Sequence, residues 1–454
     1  MPAFAVRRFG GGILAVLLFA AGCSSSTGAG SVSARSAGEL GKEGDAYQQF
    51  DRAFRAMSEH DGADDWTDAR CNQVADAFVR AWKADNTLRE ALYDAGVAHL
   101  RCHHVAEARK NFVASLETMP RLYRGQARLT MLESYRSRRE LDQNIGELNR
   151  VAGESAFTEV PVLIELATRE IERGALSDGH ESSLDFADAS RNLSRVLTMD
   201  EQSAAAKNQV AMLHLAKAKA NDAAKSMALA DDECPDERAP AKVAERPAAP
   251  NRAELELAMG ICVQTIREEP TFAPVRNTAG LIAFELRDKA AAIMHFEAAV
   301  DLDPENLDAR ANLAAALLSA GQYEAAERSY DRALGLQADD YEAYLGRALA
   351  RRGQITASNF GAQVESVESD FERAKELDPE RPDAYYDDAI FNEHFKAPGV
   401  PHDRTMSVLR RARSLFGTFL AKAGKRPEYA TEVRLAKQRV RGAGPLEAAQ
   451  SCRR

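Results

Sequence analysis

The strongest constraint in this 454-residue sequence is a pattern of small, aromatic and helix-ending residues that returns after 34 positions. The first copy contains, in order, Gly280, Ala292, Phe296, Ala299 and Pro304, and the second contains Ala314, Ala326, Tyr330, Ala333 and Ala338. A period of roughly 20 to 50 residues is the signature of repeat proteins, in which each copy forms one supersecondary unit. The pattern therefore predicts an array of similar units.

The residue types indicate two helices in each copy. Helix backbones approach closely only where side chains are small; Gly280 and Ala292 provide such positions, and Phe296 fills the space beside them. Asp303-Pro304 then ends the second helix, because the residue before a proline is pushed away from helical backbone angles. One helix pair cannot bury its own apolar face, so at least ~3 neighbouring pairs are expected to stack.

The order small, small, aromatic, small and proline resembles the tetratricopeptide repeat (TPR), a family of helix-turn-helix repeats with this period. The first copy matches five family positions, and the second departs only at Ala338, where proline is usual. The resemblance implies an all-α fold, a TPR-type helix-turn-helix solenoid with a right-handed superhelical course. It applies most clearly to 273–340.

The same register continues outside that pair. Segment 89–122 carries Gly96, Ala108, Phe112 and Pro120 at the matching positions, and 55–88 is a weaker copy with Gly62 and Phe78. The predicted organisation is a lipoprotein signal peptide at 1–22, a flexible tether at 23–45, degenerate TPR-like repeats at 46–230, a disordered insertion at 231–250, clearer TPR repeats at 251–424, and a capping helix with a tail at 425–454. A loop at 396–403 is expected to join helices at 383–394 and 406–420.

Composition agrees with an all-helical protein and argues against two classes of function. Charged residues make up 28% of the chain, and strand-type runs of Val, Ile and Thr are scarce. The net charge is −10 and no basic stripe with interleaved aromatics occurs, so nucleic acid is not an expected partner. A mean hydropathy of −0.39 and the lack of any apolar run near ~20 residues exclude a transmembrane bundle.

The first residues of the chain predict export and lipid attachment. Arg7 and Arg8 precede an apolar stretch at 13–19 that is too short to span a bilayer. Ala20-Ala21-Gly22-Cys23 then resembles a bacterial lipobox, although Leu is usual at the first of these positions; an ordinary secretory peptide is the alternative. The resemblance implies lipidation of Cys23, and Ser24 instead of Asp implies outer-membrane sorting. We therefore expect a cell-envelope protein, lipid-anchored in the outer membrane and facing the periplasm.

The sequence contains no recognisable catalytic set, so no enzyme activity and no cofactor are expected. A G-x-S-x-G elbow is absent, and Gly41-Lys42 is followed by Glu43 instead of the Ser or Thr of a phosphate loop. Carboxylates stand three or four positions from Lys and Arg, which is typical of solvated helix faces. His99, His103 and His104 are the one cluster of possible ligands, but a second half-site is missing, so no metal is predicted.

Five cysteines remain besides Cys23, and an exported protein meets oxidising conditions that allow disulfides. In the TPR register, Cys71 begins the second helix of one repeat and Cys102 ends the first helix of the next. Stacking of TPR repeats implies that these helices are neighbours, so a Cys71–Cys102 bridge is expected. Cys262 occupies an aromatic position of the pattern, which favours a buried apolar role.

The TPR resemblance also implies where a partner would bind. In such arrays the first helices of successive repeats line a concave groove that holds a peptide or a helix. The family's contact positions fall here on Asn277, Leu281, Phe284, Glu285, Asp308, Ala311, Asn312, Ala315 and Leu318. The Lys and Asn clamp of chaperone-binding members is not reproduced. The alternative is that these side chains only solvate the groove.

Together these features favour a lipid-anchored scaffold that binds protein partners in an envelope machine. The layout is similar to that of the TPR lipoproteins of the adventurous gliding motility machinery. A regulator or assembly factor for outer-membrane protein, pilus, secretion or peptidoglycan systems is an alternative. A solute-binding protein with a ligand inside the superhelix is a third possibility.

Overall fold

The structure is a computed structural model that describes residues 43–441 except 64, 103, 133–136, 178, 229–250, 425 and 427–428. The signal peptide, most of the tether, the insertion at 231–250 and the tail at 442–454 lie outside the described residues. Every regular element within these ranges is a helix, so the expected all-α TPR-type solenoid is confirmed. No helix in the described ranges is long and apolar enough to cross a bilayer.

Contacts along the backbone divide the chain into two compact units. The first unit contains 43–220 and 253–275, and the second contains 276–441 with the described residues of 221–252. The first ten helices are α1 Glu43–Ala63, α2 Asp68–Ala84, α3 Ala91–Leu100, α4 Val105–Thr118, α5 Tyr123–Met131, α6 Arg138–Glu154, α7 Val160–Leu176, α8 Gly179–Met199, α9 Ala204–Ala228 and α10 Arg252–Glu268. The others are α11 Ala273–Glu285, α12 Lys289–Leu302, α13 Leu307–Ser319, α14 Tyr323–Leu336, α15 Tyr341–Gly353, α16 Phe360–Leu377, α17 Asp383–Phe391, α18 Ala397–Gly399, α19 His402–Ala423 and α20 Ala430–Arg441.

The 34-residue period of the sequence returns in the hydrogen bonds at the helix ends. The backbone N–H groups of Glu269, Asp303 and Gln337 each donate to the carbonyl four residues earlier and close α10, α12 and α14. Asn306 and Asp340 lie 34 residues apart, and their side chains accept from backbone N–H groups to cap α13 and α15. These caps satisfy donors that a helix N-terminus otherwise leaves free. The period is therefore a period of local structure.

Close helix contact depends on glycine where a ring of the paired helix meets the backbone. A Cβ atom added to Gly280 would lie 2.5 Å from the Phe296 ring, and one added to Gly96 would lie 2.6 Å from the Phe112 ring. Both rings are buried. These distances are far below van der Waals contact, so only glycine fits. The expectation that Gly280 allows two helices to meet beside Phe296 is confirmed.

The connection expected as a loop at 396–403 is largely helical, which corrects that prediction. A π-helical turn, Asn392–Lys396, continues α17 directly into α18, so only 400–401 separate this run from α19. Asn392 is fully buried, and its Nδ2 donates to the Asp388 carbonyl at 2.9 Å and to Asp388 Oδ1 at 2.7 Å. These two bonds hold the Asn392 side chain at the start of the π-helical turn. Nothing in a simple apolar period signals this insertion.

Candidate partner-binding site

The candidate groove lies on the first helices of consecutive repeats in the second unit, α11, α13, α15 and α17. Helix α13 packs on α15, and α15 packs on α17, so these first helices form a row. The Nδ2 atom of Asn312 on α13 donates to Oδ1 of Asn277 on α11 at 3.0 Å. This bond joins the two segments on which the contact positions were predicted. The predicted contact positions lie on α11 and α13. We call the surface that these two helices form together with α15 the first-helix row.

The predicted contact residues differ in the surface that they offer to a partner. Asn277 is only 4% exposed and Ala315 only 7%, so these two contribute mainly to helix packing. The other seven are half-buried: Leu281, Phe284, Glu285, Asp308, Ala311, Asn312 and Leu318. Half-buried apolar side chains can contact a partner without exposing a large apolar surface when the partner is absent.

Carboxyl groups concentrate at the N-terminal ends of the helices in the row. Asp308 and Glu342 follow the first residues of α13 and α15, and Asp340 caps α15. Burial, together with the neighbouring Asp340, raises the pKa of Asp308 to about 7. Burial also raises the pKa of Glu342 to about 7, against the opposing effect of Arg381. These carboxyl groups change charge near pH 7, and a cationic partner group would favour their ionised form.

One of the predicted repeat positions recurs on α15, at Arg352, which is only 7% exposed and so contributes mainly to packing. Arg352 lies 34 residues after Leu318, on α15, and its guanidinium stands 5.1 Å from the centre of the Phe395 ring on the π-helical turn. His394 lies on the same turn, and its Nε2 atom is 2.7 Å from Nη1 of Arg439 on α20. Burial and the nearby Arg439 lower the pKa of His394. A further step of the 34-residue period would have identified Arg352, whereas the π-helical turn has no counterpart in the pattern.

The expectation that carboxylates lie on solvated helix faces is wrong for α7 in the first unit. Glu165, Glu170 and Glu172 are all at most 4% exposed. Arg169 is buried between two of them, with Nε 2.9 Å from Glu165 Oε1 and Nη1 donating to Glu172 Oε2 at 3.1 Å. Burial raises the pKa of Glu165, and it raises the pKa of Glu170 to about 7 although Asn192 donates to that carboxyl.

The carboxylates of α7 are buried because of the position of this helix in the array. This helix packs against α5, α6 and α8, so it has no wide face in water. Charged residues at helical spacing then pair inside the unit. Asp370 and Asp388 in the second unit are buried in a similar way, beside Arg347 and Lys375 respectively.

The histidines of the sequence cluster are only partly described, because His103 lies outside the described residues. His99 is 8% exposed, and its Nδ1 lies 3.4 Å from Nδ1 of His104, whose Nε2 is 3.0 Å from Asp68 Oδ1. Burial and the neighbouring His104 lower the pKa of His99. In the ranges that the structure covers, no group of three or more His, Cys, Asp and Glu side chains is arranged to hold a metal ion.

The cysteines fall into two kinds in the described chain. Cys71 and Cys102 are joined by a disulfide, with their Cα atoms 6.2 Å apart, and the bond links α2 to the residue after α3. Cys262 is a free thiol with no exposed surface, and burial raises its pKa to about 12. A thiol that stays protonated in this way packs as a small apolar side chain.

Comparison with known families agrees with the geometry. Residues 283–351 match the family model of the tetratricopeptide repeat, and this stretch contains α12 to α14 and most of α15. The fold is of the TPR type. TPR proteins generally bind peptide or protein partners and are not themselves catalysts. None of the curated proteins matches the chain.

Several solved TPR structures resemble the chain at low identity. TTC0263, a thermophilic TPR protein of Thermus thermophilus, is 19% identical with a TM-score of 0.35, over 46% of this chain and 90% of that one. MamA of Desulfovibrio magneticus RS-1 is 21% identical with a TM-score of 0.31, over 36% and 86%. YrrB, described as a TPR protein with an unusual peptide-binding site, is 12% identical with a TM-score of 0.31, over 53% and 96%. Likeness at this level identifies no partner for this chain.

Proposed function

We propose that this protein is an envelope lipoprotein scaffold that binds a protein partner along the first-helix row of its second unit. The observation that carries the proposal is the row itself. It offers half-buried Leu281, Phe284 and Leu318 in the C-terminal halves of α11 and α13, and the carboxyl groups of Asp308 and Glu342 at the N-terminal ends of α13 and α15. A surface with both apolar and charged positions suits a peptide or helix that inserts apolar anchors and pairs its own charges.

The chemistry of the row also suggests the kind of segment that it takes. Ionisation of Asp308 is unfavourable in the free protein, because the carboxyl is buried near another carboxylate. A Lys or Arg from the partner would offset that cost. The proposed partner segment therefore carries apolar side chains together with at least one basic residue.

The proposed location is the periplasmic side of the outer membrane, with a lipid on Cys23. Support comes from the lipobox-like Ala20-Ala21-Gly22-Cys23 and from the Cys71–Cys102 disulfide, a type of bond that persists in oxidising compartments. The proposed context is a multiprotein envelope machine, of which gliding motility is one example. Outer-membrane assembly, pilus, secretion and peptidoglycan systems are the alternatives.

Affinity isolation from detergent-treated envelopes, followed by mass spectrometry, tests the function. The wild-type chain should recover a defined protein partner, and Leu281→Arg with Phe284→Arg should lose it. The matched control is Met294→Arg with Leu336→Arg, because these side chains are 55% and 45% exposed on the second helices α12 and α14. Equal recovery by the groove variant would contradict the proposal. Recovery of a small molecule alone in native mass spectra would favour a solute-binding protein.

The location has a separate test. Cys23→Ala should abolish labelling by a fatty-acid analogue and should release the protein from the membrane fraction. A Cys23→Ala chain that is still labelled and still sediments with outer membranes would overturn the anchor. The groove proposal would survive that result, since it depends on the second unit alone.

A further inference from the structure

The C-terminal end of the second unit concentrates positive charge in a chain that is acidic as a whole. Helices α19 and α20 together contain nine Lys or Arg residues and two Asp or Glu residues, whereas the complete chain has a net charge of −10. The net charge of these two helices is therefore opposite in sign to that of the whole chain, and such a surface attracts anions that the rest of the chain repels.

The cations of α19 and α20 that point towards the preceding helices are paired. Nη2 of Arg411 donates to Glu372 Oε1 at 2.8 Å, and Nζ of Lys422 donates to Glu380 Oε1 at 2.9 Å. Arg439 pairs with Glu393, and its guanidinium lies 5.7 Å from the centre of the Phe416 ring. These three side chains attach the two helices to the repeat beneath them.

The cations on the opposite side have no such partners. Arg410, Arg434, Lys437 and Arg441 are exposed, and none of the four contacts a carboxylate in the part of the chain that the structure describes. The last three are spaced three and four positions apart, so they form one stripe of α20 away from buried Ala436. The guanidinium of Arg413 on α19 donates to the Val440 carbonyl and so lies beside the end of α20, and Arg410 is exposed one turn earlier on α19.

We propose that these five residues, the end patch of Arg410, Arg413, Arg434, Lys437 and Arg441, bind the anionic lipid headgroups of a membrane surface. Each exposed Lys or Arg near an anionic membrane adds to the attraction, and no shaped pocket is required. The end patch is independent of the first-helix row. With a lipid on Cys23, it would fix which end of the second unit faces the bilayer.

The surface fits lipid better than it fits an acidic protein. A specific protein interface has an apolar core with aromatic anchors. On α19 and α20, as far as they are described, Met406 is the single large apolar side chain that is strongly exposed, at 61%. It lies one helical turn before Arg410, and one apolar side chain next to cations suits the boundary between headgroups and acyl chains.

Vesicle flotation with the lipid-free chain from Ser24 tests the end patch. The chain should float with vesicles of about one third phosphatidylglycerol in phosphatidylcholine and should not float with pure phosphatidylcholine. Binding should disappear near 1 M salt, where the screening length falls to about 3 Å. Arg410→Glu, Arg434→Glu, Lys437→Glu and Arg441→Glu together should weaken binding to the anionic vesicles by at least about tenfold.

The control variant carries the same change in net charge elsewhere. Arg80→Glu, Lys83→Glu, Arg328→Glu and Arg332→Glu replace four exposed cations on α2 and α14. This variant should keep at least about half of the wild-type binding, and circular dichroism should show unchanged helix content for both variants. Failure of the wild-type chain to bind anionic vesicles, or an equal loss in the two variants, would overturn the proposal. Binding to an acidic protein or to nucleic acid without vesicle binding would overturn it as well.

Discussion

Two helix pairs of this protein reach the same architecture with different interiors. In α11–α12 the Phe296 ring packs on Gly280, and Ala292 and Ala299 complete an apolar contact. In α7–α8 the Phe186 ring packs on Gly174 in the same manner, with a built Cβ only 2.6 Å from the ring, but charged side chains are buried along the rest of α7. The ring-on-glycine contact is therefore the shared element. The remainder of the interior can be apolar or ionic.

The ionic interior should respond most strongly to loss of one partner. Arg169→Met removes the guanidinium that lies against buried Glu165 and Glu172, so the free energy of unfolding should fall by about 3–5 kcal/mol. Urea denaturation followed by circular dichroism measures it. The matched control is Arg150→Met on α6, because Arg150 is flanked by Glu147 and Glu154 at similar spacing but all three are exposed. That change should cost less than about 1 kcal/mol, and equal losses would refute the distinction.

The disulfide should have the next largest effect, confined to the first unit. Cys71 and Cys102 are 31 positions apart, and closing a loop of that length stabilises a fold by about 3–4 kcal/mol in the chain-entropy account. Cys71→Ala with Cys102→Ala should lower the unfolding free energy by this amount. Dithiothreitol should act on the wild-type chain and leave the double variant unchanged. A wild-type urea midpoint that is insensitive to reductant would contradict this prediction.

Alanine at the shared glycines should test whether the two pairs depend on the same contact. Gly280→Ala and Gly174→Ala should each destabilise by about 1–3 kcal/mol, because a methyl group would collide with a buried ring. Gly260→Ala on α10 is the control. A Cβ there meets no atom within 4 Å, so alanine should stabilise the helix by about 0.5–1 kcal/mol. If Gly174→Ala behaved like Gly260→Ala, the proposed common element would be wrong.

The last prediction is a pH dependence of stability at the first-helix row. The pKa of Asp308 is about 7 in the folded chain, above the ordinary value for aspartate. Between about pH 4 and pH 7 the folded state therefore holds a proton that the unfolded chain has lost, so stability falls as pH rises through this window. Asp308→Asn should therefore be more stable than wild type at pH 8, and this difference in the free energy of unfolding should disappear near pH 4. Thermal unfolding at both pH values measures the difference, and a variant that is less stable at pH 8 would reverse the assigned sign.

Much of the fold follows from the sequence because its period reports on local structure. Gly280, Phe296 and Pro304 indicated a helix pair, and α12 ends at Leu302, just before the predicted stop at Asp303-Pro304. Cys71 and Cys102, chosen from the register, are bonded in the structure. The helix pair depends on residues that are close in the sequence, and the disulfide depends on the stacking of neighbouring repeats. A single sequence is enough to predict both.

Other features depend on packing that no local pattern encodes. Glu165 and Glu172 have the spacing of a solvated face, and only the contacts of α7 with three helices make them buried. The raised pKa of Asp308 likewise depends on burial and, to a smaller extent, on Asp340, which is 32 positions later in the sequence. The π-helical turn begins at Asn392, a buried residue bonded to Asp388 that has the pattern of an ordinary helix residue in the sequence.

Site-specific photocrosslinking tests the central claim, that the first-helix row is where a protein partner binds, most directly. A photoreactive phenylalanine analogue at Phe284 or Leu281 should give one defined protein adduct in intact cells. The same analogue at Met294, which is 55% exposed on the second helix α12, should not give that adduct. An adduct from Met294, with none from Phe284 and Leu281, would show that the partner uses the other face of the array.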